Sequence, residues 1–135
     1  MSEHVLALAE RFFAAIESTD IETIREIYHP ECVIWHSSDP LEAREKGLGV
    51  DQNVQSLATL QDRVIGAKFD VLQREATETG FVQQHILRGT MPNGEPFVMP
   101  SCMICVVEDG RITRLDEYFD AAASTRLGEV LAEMA

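Results

Sequence analysis

Arg111-Ile112-Thr113-Arg114-Leu115-Asp116-Glu117-Tyr118-Phe119-Asp120 is the stretch on which the reading of this chain turns. It follows an Asp109-Gly110 turn and precedes Ala121-Ala122-Ala123, and its alternation predicts a β-strand. Thr113, Leu115, Glu117 and Phe119 share one face; Ile112, Arg114, Asp116 and Tyr118 share the other. Glu117 thus stands beside a leucine and a phenylalanine. Either that face lines a cavity that uses an acid, or the strand is an edge and Glu117 reaches water.

Working outward, the second half of the chain keeps this two-residue period. Strands are expected over 67–77, 81–89 and 96–107, joined by Glu78-Thr79-Gly80 and by a loop with the Asn93-Gly94 turn signal. Pro100 invites a bulge in the third. The first half has helical period. Val5, Leu8, Ala9, Phe12, Phe13 and Ile16 predict an amphipathic helix over 3–18. Asp20 caps a short helix over 21–28, which His29-Pro30 ends. A short strand, 31–37, carries Cys32-Val33-Ile34-Trp35-His36. Residues 41–49 read as irregular, a third helix as running from 50 or 51 to 64, and a last helix as covering 121–134 with Asp120 or Ser124 near its start. Helices followed by a strand meander make an α+β domain, one domain over 1–135, with the sheet curling around three to four helices.

Composition narrows the partners. A 45% hydrophobic and 25% charged chain is an ordinary soluble globule. A net charge of −12 repels phosphate backbones and anionic lipid, so no nucleic acid and no membrane partner is expected. No apolar run reaches spanning length, and Met1-Ser2-Glu3-His4 lacks the basic and apolar regions of a signal peptide, so the expected compartment is the cytoplasm. Cys32, Cys102 and Cys105 fit a reducing environment. The Cys102–Cys105 spacing mimics a metal or redox pair, but residues three apart in a strand point to opposite faces, so buried inert thiols are expected.

Both faces of the 97–107 strand are apolar. One packs on the helices, and so few helices cannot cover the other. A homodimer through the outer sheet face is therefore expected. If the Glu117 and His85 faces are concave, they enclose a cavity walled by Gln83, Met99, Ser101, Met103, Leu115 and Phe119, to which Ile34 and His36 add from the first strand. One acid and two imidazoles in an apolar pocket make a small-molecule site. Burial should raise the Glu117 pKa, and His85 can bond to the carboxyl and orient it. A metal bound by His36, His85 and Glu117 has no supporting spacing, so no metal and no cofactor is expected. His4 and His29 read as surface or turn residues. Trp35, Asp116 and Tyr118 read as outer-face, and Arg44, Lys46 and Asp51 as loop residues near the cavity mouth.

With these features in place, the chain resembles the nuclear transport factor two-like superfamily, and within it the SnoaL-like polyketide cyclase branch. The resemblance covers nearly the full length. It rests on Arg11-Phe12-Phe13-Ala14-Ala15-Ile16 with Asp20, on Tyr28-His29-Pro30-Glu31-Cys32, and on Asp109-Gly110-Arg111-Ile112-Thr113 followed by Glu117-Tyr118-Phe119-Asp120. It implies a cone-shaped α+β barrel, helices packed in a highly curved mixed or antiparallel sheet, a deep apolar cavity and dimerisation.

The resemblance places His36 where ketosteroid isomerases have an aspartate base and limonene epoxide hydrolase a water-holding asparagine. Glu117 falls at that hydrolase's catalytic aspartate. The hydrolase's other Arg and Asp positions hold Gln83 and His85, so its Asp-Arg-Asp set is absent. Phe12 stands at the isomerases' helix-borne tyrosine and joins the substrate wall, and Cys102 lies near their oxyanion-hole acid, so that hole is absent too. The expected function is acid/base chemistry on a small hydrophobic, carbonyl-bearing molecule, an isomerisation, cyclisation or dehydration. Glu117 is its base, His85 the partner and His36 a further catalytic contact. The competing expectation is a protein of the same fold that holds such a ligand unchanged.

Overall fold

The computed structural model describes residues 2–135. Helix α1 (Ser2–Glu17) buries Ala9, Phe12, Phe13, Ala15 and Ile16, the apolar stripe of its sequence. Helix α2 (Ile21–Ile27) starts at Asp20, whose carboxylate accepts from the Thr23 N–H at 3.2 Å. It ends one residue before the expected position, because Tyr28 is extended and pairs with Ile112. Strand β1 (Tyr28–His36) follows, and then a single turn of 3-10 helix, Leu41–Ala43, within the segment read as irregular. Helix α3 (Val50–Arg63), strands β2 (Ile65–Ala76), β3 (Gly80–Thr90), β4 (Pro96–Glu108) and β5 (Arg111–Phe119), and helix α4 (Ala121–Glu133) complete the chain. Asp120 caps α4 by accepting from the Ala122 N–H at 2.9 Å.

The strands form one mixed sheet in the order β1-β5-β4-β3-β2, with β1 parallel to β5 and the other pairs antiparallel. The sheet curls around the helices as a cone but does not close into a barrel: β1 and β2 remain edges. Strand β5 is bonded on both sides, which removes the edge-strand explanation for Glu117.

The bending occurs away from Pro100. Register shifts lie between Tyr28 and Val33, between Ile65 and Lys68 where Gly66 has φ 66°, between Val71 and Gln73, and between Val106 and Val107. Pro100 pairs regularly with Ile86. Its carbonyl accepts from the Asp120 N–H at 3.0 Å, and the return bond it cannot donate falls where β5 has already given way to α4. Three of these shifts insert one extra residue into one strand and the one between Tyr28 and Val33 inserts three, so the sheet twists and cups there.

Alternation in β4 is clean. Phe97, Met99, Ser101, Met103 and Cys105 are buried; Val98, Pro100 and Ile104 are exposed on the outer face. Cys102 and Cys105 therefore separate onto opposite faces, and all three cysteines are free. The concave face meets two core clusters. One gathers Phe12, Phe13, Ile34, Phe81 and Leu115 around α1; the other gathers Leu87, Phe97, Met99, Leu127 and Val130 around α4. Among the described residues, no helix is long and apolar enough to cross a membrane.

Candidate functional site

The two clusters do not meet completely. Between them lies a cavity of about 220 Å³, below the ~300–1,000 Å³ usual for drug-sized ligands. Sheet residues Phe69, Leu87, Met99, Met103 and Phe119 form its apolar floor. Ile16, Leu57 and Leu60 come from the helices, and His36 and Glu117 stand at one side. A larger open groove, about 600 Å³, runs between α1 and the β4–β5 turn past His4, Leu8 and Arg11. It holds no buried polar side chain, whereas the interior cavity does.

Parallel pairing of β1 with β5 places His36 directly beside Glu117, and β4 places Met103 on its other flank. Glu117 is only 6% exposed. One carboxylate oxygen accepts from Ser101 Oγ at 2.6 Å, and the other lies 3.3 Å from His36 Nε2. Burial pushes the Glu117 pKa up. The His36 contact and charge, then the Ser101 bond and the His85 charge, outweigh it, and the net direction is down. The expected raised acid is thus reversed: folding has surrounded the carboxylate with donors. For His36, burial pushes down, but the bond to Glu117, its charge and that of Asp39 push further up. Near neutrality the site is a carboxylate facing an imidazole that favours its proton.

His85 is not the partner of Glu117. It is 1% exposed, and its ring packs edge-on against Phe69 (4.8 Å between centroids) and Phe13 (5.6 Å). Its Nδ1 lies 2.9 Å from Gln83 Nε2, and Arg74 Nε donates to Gln83 Oε1 at 2.6 Å. Burial lowers the His85 pKa, the Glu117 charge opposing and Arg74 assisting. Among the described residues, no group of three or more His, Cys, Asp or Glu side chains could hold a metal ion.

The expected wall is partly relocated. Met99, Met103 and Phe119 line the cavity and Ser101 holds its carboxylate. Phe12, Ile34 and Leu115 do not line it, because they pack in the core cluster around α1, at most 2% exposed. Gln83 is likewise spent on Arg74 and His85. Arg44 leaves the mouth for the outer face, where it bonds Asp116 at 3.2 Å beside Arg114, and Trp35 packs near it and Tyr118. Asp51 pairs with Arg25 at 2.6 Å.

Sequence reasoning missed the face of α3. Asn53, Ser56, Leu57, Leu60 and Gln61 all border the cavity, together with Ser124 of α4. Asn53 Oδ1 accepts from the buried Tyr28 hydroxyl at 2.7 Å. The signal was present: Asn53 and Gln61 are eight apart, flanking Leu57 at helical spacing, so two amides share an apolar stripe.

The comparisons agree with this architecture. The family described as the SnoaL-like domain matches residues 9–115. No curated protein matches the chain in sequence. Among solved structures, the chain is similar to PrhC from Penicillium brasilianum, with 19% identity, a TM-score of 0.82, and 98% of this chain and 91% of that one covered. It is similar to IdmH from Streptomyces antibioticus, with 20% identity, a TM-score of 0.77, and 93% and 98% covered. It is also similar to an LEH-like epoxide hydrolase of M. tuberculosis, with 18% identity, a TM-score of 0.72, and 99% and 98% covered. At such identities the likeness is one of fold.

Proposed function

Because this chain belongs to the SnoaL-like domain family, we propose that it is an acid/base enzyme acting on a small hydrophobic, carbonyl-bearing molecule held in the interior cavity. The observation that carries the reading is the Glu117 carboxylate, buried at the cavity wall and facing His36 Nε2 at 3.3 Å. An ionised carboxylate can take a proton from carbon next to a carbonyl, and the imidazole beside it can supply one to oxygen or to the neighbouring carbon. Taking and returning protons in this way covers isomerisation, dehydration and ring closure, and it calls for no cofactor. Glu117 is the base, His36 its acid partner, and Ser101 the group that fixes the carboxylate plane. Met99, Met103, Phe119, Leu57 and Phe69 hold the apolar body of the substrate.

A test that needs no natural substrate is hydrogen–deuterium exchange next to the carbonyl of small aromatic ketones such as 1-indanone, followed by proton NMR. Wild type should accelerate exchange and Glu117→Gln should not. Exchange by Glu117→Gln at the parental rate would sink the assignment. Ketone binding without exchange in wild type favours the second reading, a ligand-holding protein, for which the supporting observation is that Glu117 already has partners on both oxygens.

We also place the protein in the cytoplasm, on the strength of its free thiols, and assign it a homodimer through the outer sheet face. Val98, Ile104 and Tyr118 stand 42–45% exposed there, a contiguous apolar surface of the kind that pairs. Sedimentation should give a dimer that Ile104→Asp converts to monomer; a monomeric wild type refutes the assignment.

A further inference from the structure

Asn53 on α3 is a buried amide with one end committed and the other free. It is 3% exposed, and its Oδ1 accepts from the Tyr28 hydroxyl at 2.7 Å. That contact fixes which way the amide faces. Tyr28 is itself buried, and among the described residues Asn53 is the one hydrogen-bond partner of its hydroxyl. Burial, then the charges of Cys32, Cys105 and Glu117, push the Tyr28 pKa well above the usual tyrosine range, so the hydroxyl keeps its proton. A buried hydroxyl proton with one polar neighbour goes to that neighbour's oxygen. Turning the amide over would set its NH₂ against the hydroxyl oxygen and leave the hydroxyl proton with no acceptor. The oxygen of Asn53 therefore belongs to Tyr28, and the nitrogen is turned elsewhere.

It opens on the cavity. Asn53, Leu57 and Leu60 stand at i, i+4 and i+7 of α3, one stripe of the helix, and all three border the interior cavity. Among the described residues, nothing accepts a hydrogen bond from Asn53 Nδ2. The unpartnered side-chain atoms closed off from any space are Gln61 Nε2 and His85 Nε2. Asn53 Nδ2 is unpartnered yet open, and the space beside its residue is the chamber that also holds Glu117 and His36. An N–H donor in a mostly apolar chamber costs free energy until an acceptor enters.

We propose that Asn53 binds the oxygen of the cavity's ligand: its Nδ2–H donates to a carbonyl, and Tyr28 positions it by holding the amide oxygen. The Tyr28 bond also polarises the amide and strengthens the N–H as a donor. This rests on the reading of the cavity as a proton-transfer site and adds how the substrate lies in it, with its oxygen toward α3 and the neighbouring carbon toward Glu117 on the sheet. As Glu117 takes the proton, the C–H electron pair forms the carbon–carbon double bond and the carbonyl π pair moves onto oxygen. There the Asn53 N–H meets the growing charge and keeps its own proton. The proton that completes the reaction comes from His36.

1-Indanone and indane share one ring frame and differ in the carbonyl, so their relative affinity, measured by titration, reads the donor. One hydrogen bond predicts about tenfold tighter binding of the ketone by wild type. The Asn53 side-chain NH₂ resonances, assigned by their loss in Asn53→Asp, should move with the ketone and stay in place with indane. Equal binding of the two (the mark of an amide satisfied by water), binding of neither, or NH₂ resonances that the ketone leaves in place overturns the proposal. Asn53→Asp keeps the size and the acceptor for Tyr28 but at about pH 8, where a carboxyl is ionised, presents only oxygens. It should abolish the preference while retaining indane, and Asn53→Ala should do the same; a preference that survives in either also overturns the proposal. The wild-type readouts stand even where a variant fails to fold. Tyr28→Phe frees the amide to turn and should shrink the preference without weakening indane; a parental ratio there refutes the positioning role. Glu117→Gln should keep the ketone preference whether or not exchange is lost, so failure of the base assignment and failure of this one are read separately.

Discussion

Replacing Glu117 by glutamine isolates the charge at the centre of the site. Glutamine keeps the volume, and its amide oxygen can still accept from Ser101 Oγ, so neither a cavity nor a lost hydroxyl partner enters. What disappears is the anion 3.3 Å from His36 Nε2. Breaking a fully buried ion pair costs ~3–5 kcal/mol. Here the His36 side chain is 23% exposed, so solvent screens the pair. The expected loss is about 1–2 kcal/mol, the lower part of the range for charge-assisted bonds.

The pH dependence carries the stronger test. The folded Glu117 pKa lies below its ordinary 4.5, so its contribution is present above 4.5 and is lost as pH falls through the folded value. The folded His36 pKa lies above 6.5, so its contribution is present below 6.5 and is lost as pH rises through the folded value. Both are in place between 4.5 and 6.5. Urea unfolding of wild type and Glu117→Gln should show the full gap near pH 5.5, and the gap should shrink by about pH 9, where imidazole is neutral. A gap that stays constant or widens would refute the ion-pair reasoning.

Two further outcomes follow from other parts of the fold. Gly80 begins β3 so close to β4 that a Cβ would lie 1.9 Å from the Cys105 carbonyl oxygen. Neighbouring backbone cannot withdraw as a side chain can, so Gly80→Ala should lose about 1–3 kcal/mol in urea unfolding. Burial pushes the Cys32 thiol up to about 12 and Cys105 well above its usual range, while Cys102 lies half-exposed on the outer face. A thiol reagent near pH 8 should therefore modify at most Cys102 in the native protein and all three cysteines in urea, as counted by mass spectrometry.

Local sequence determined the elements and the facing of their residues. Alternation in 111–119 was enough to set Glu117 beside Leu115 and Phe119, and the 97–107 pattern to set Cys102 and Cys105 on opposite faces, because a strand's two-residue period is a property of the backbone itself. Asp20 and Asp120 were readable as caps for the same local reason. Family resemblance extended this to the cone.

Tertiary structure alone decided who meets whom. His36 and His85 both lay on the concave face in sequence terms, yet only the parallel register of β1 on β5 makes His36 the neighbour of Glu117, and only Arg74 reaching across from β2 commits His85 to Gln83. The direction of the Glu117 pKa turned on that same choice of neighbours. Helix docking decided which wall residues touch open space: Phe12, Ile34 and Leu115 pack into the core cluster around α1, and α3 brings Asn53 and Gln61 to the cavity. Contacts between residues so far apart in the chain depend on strand register and helix docking, which no local periodicity encodes.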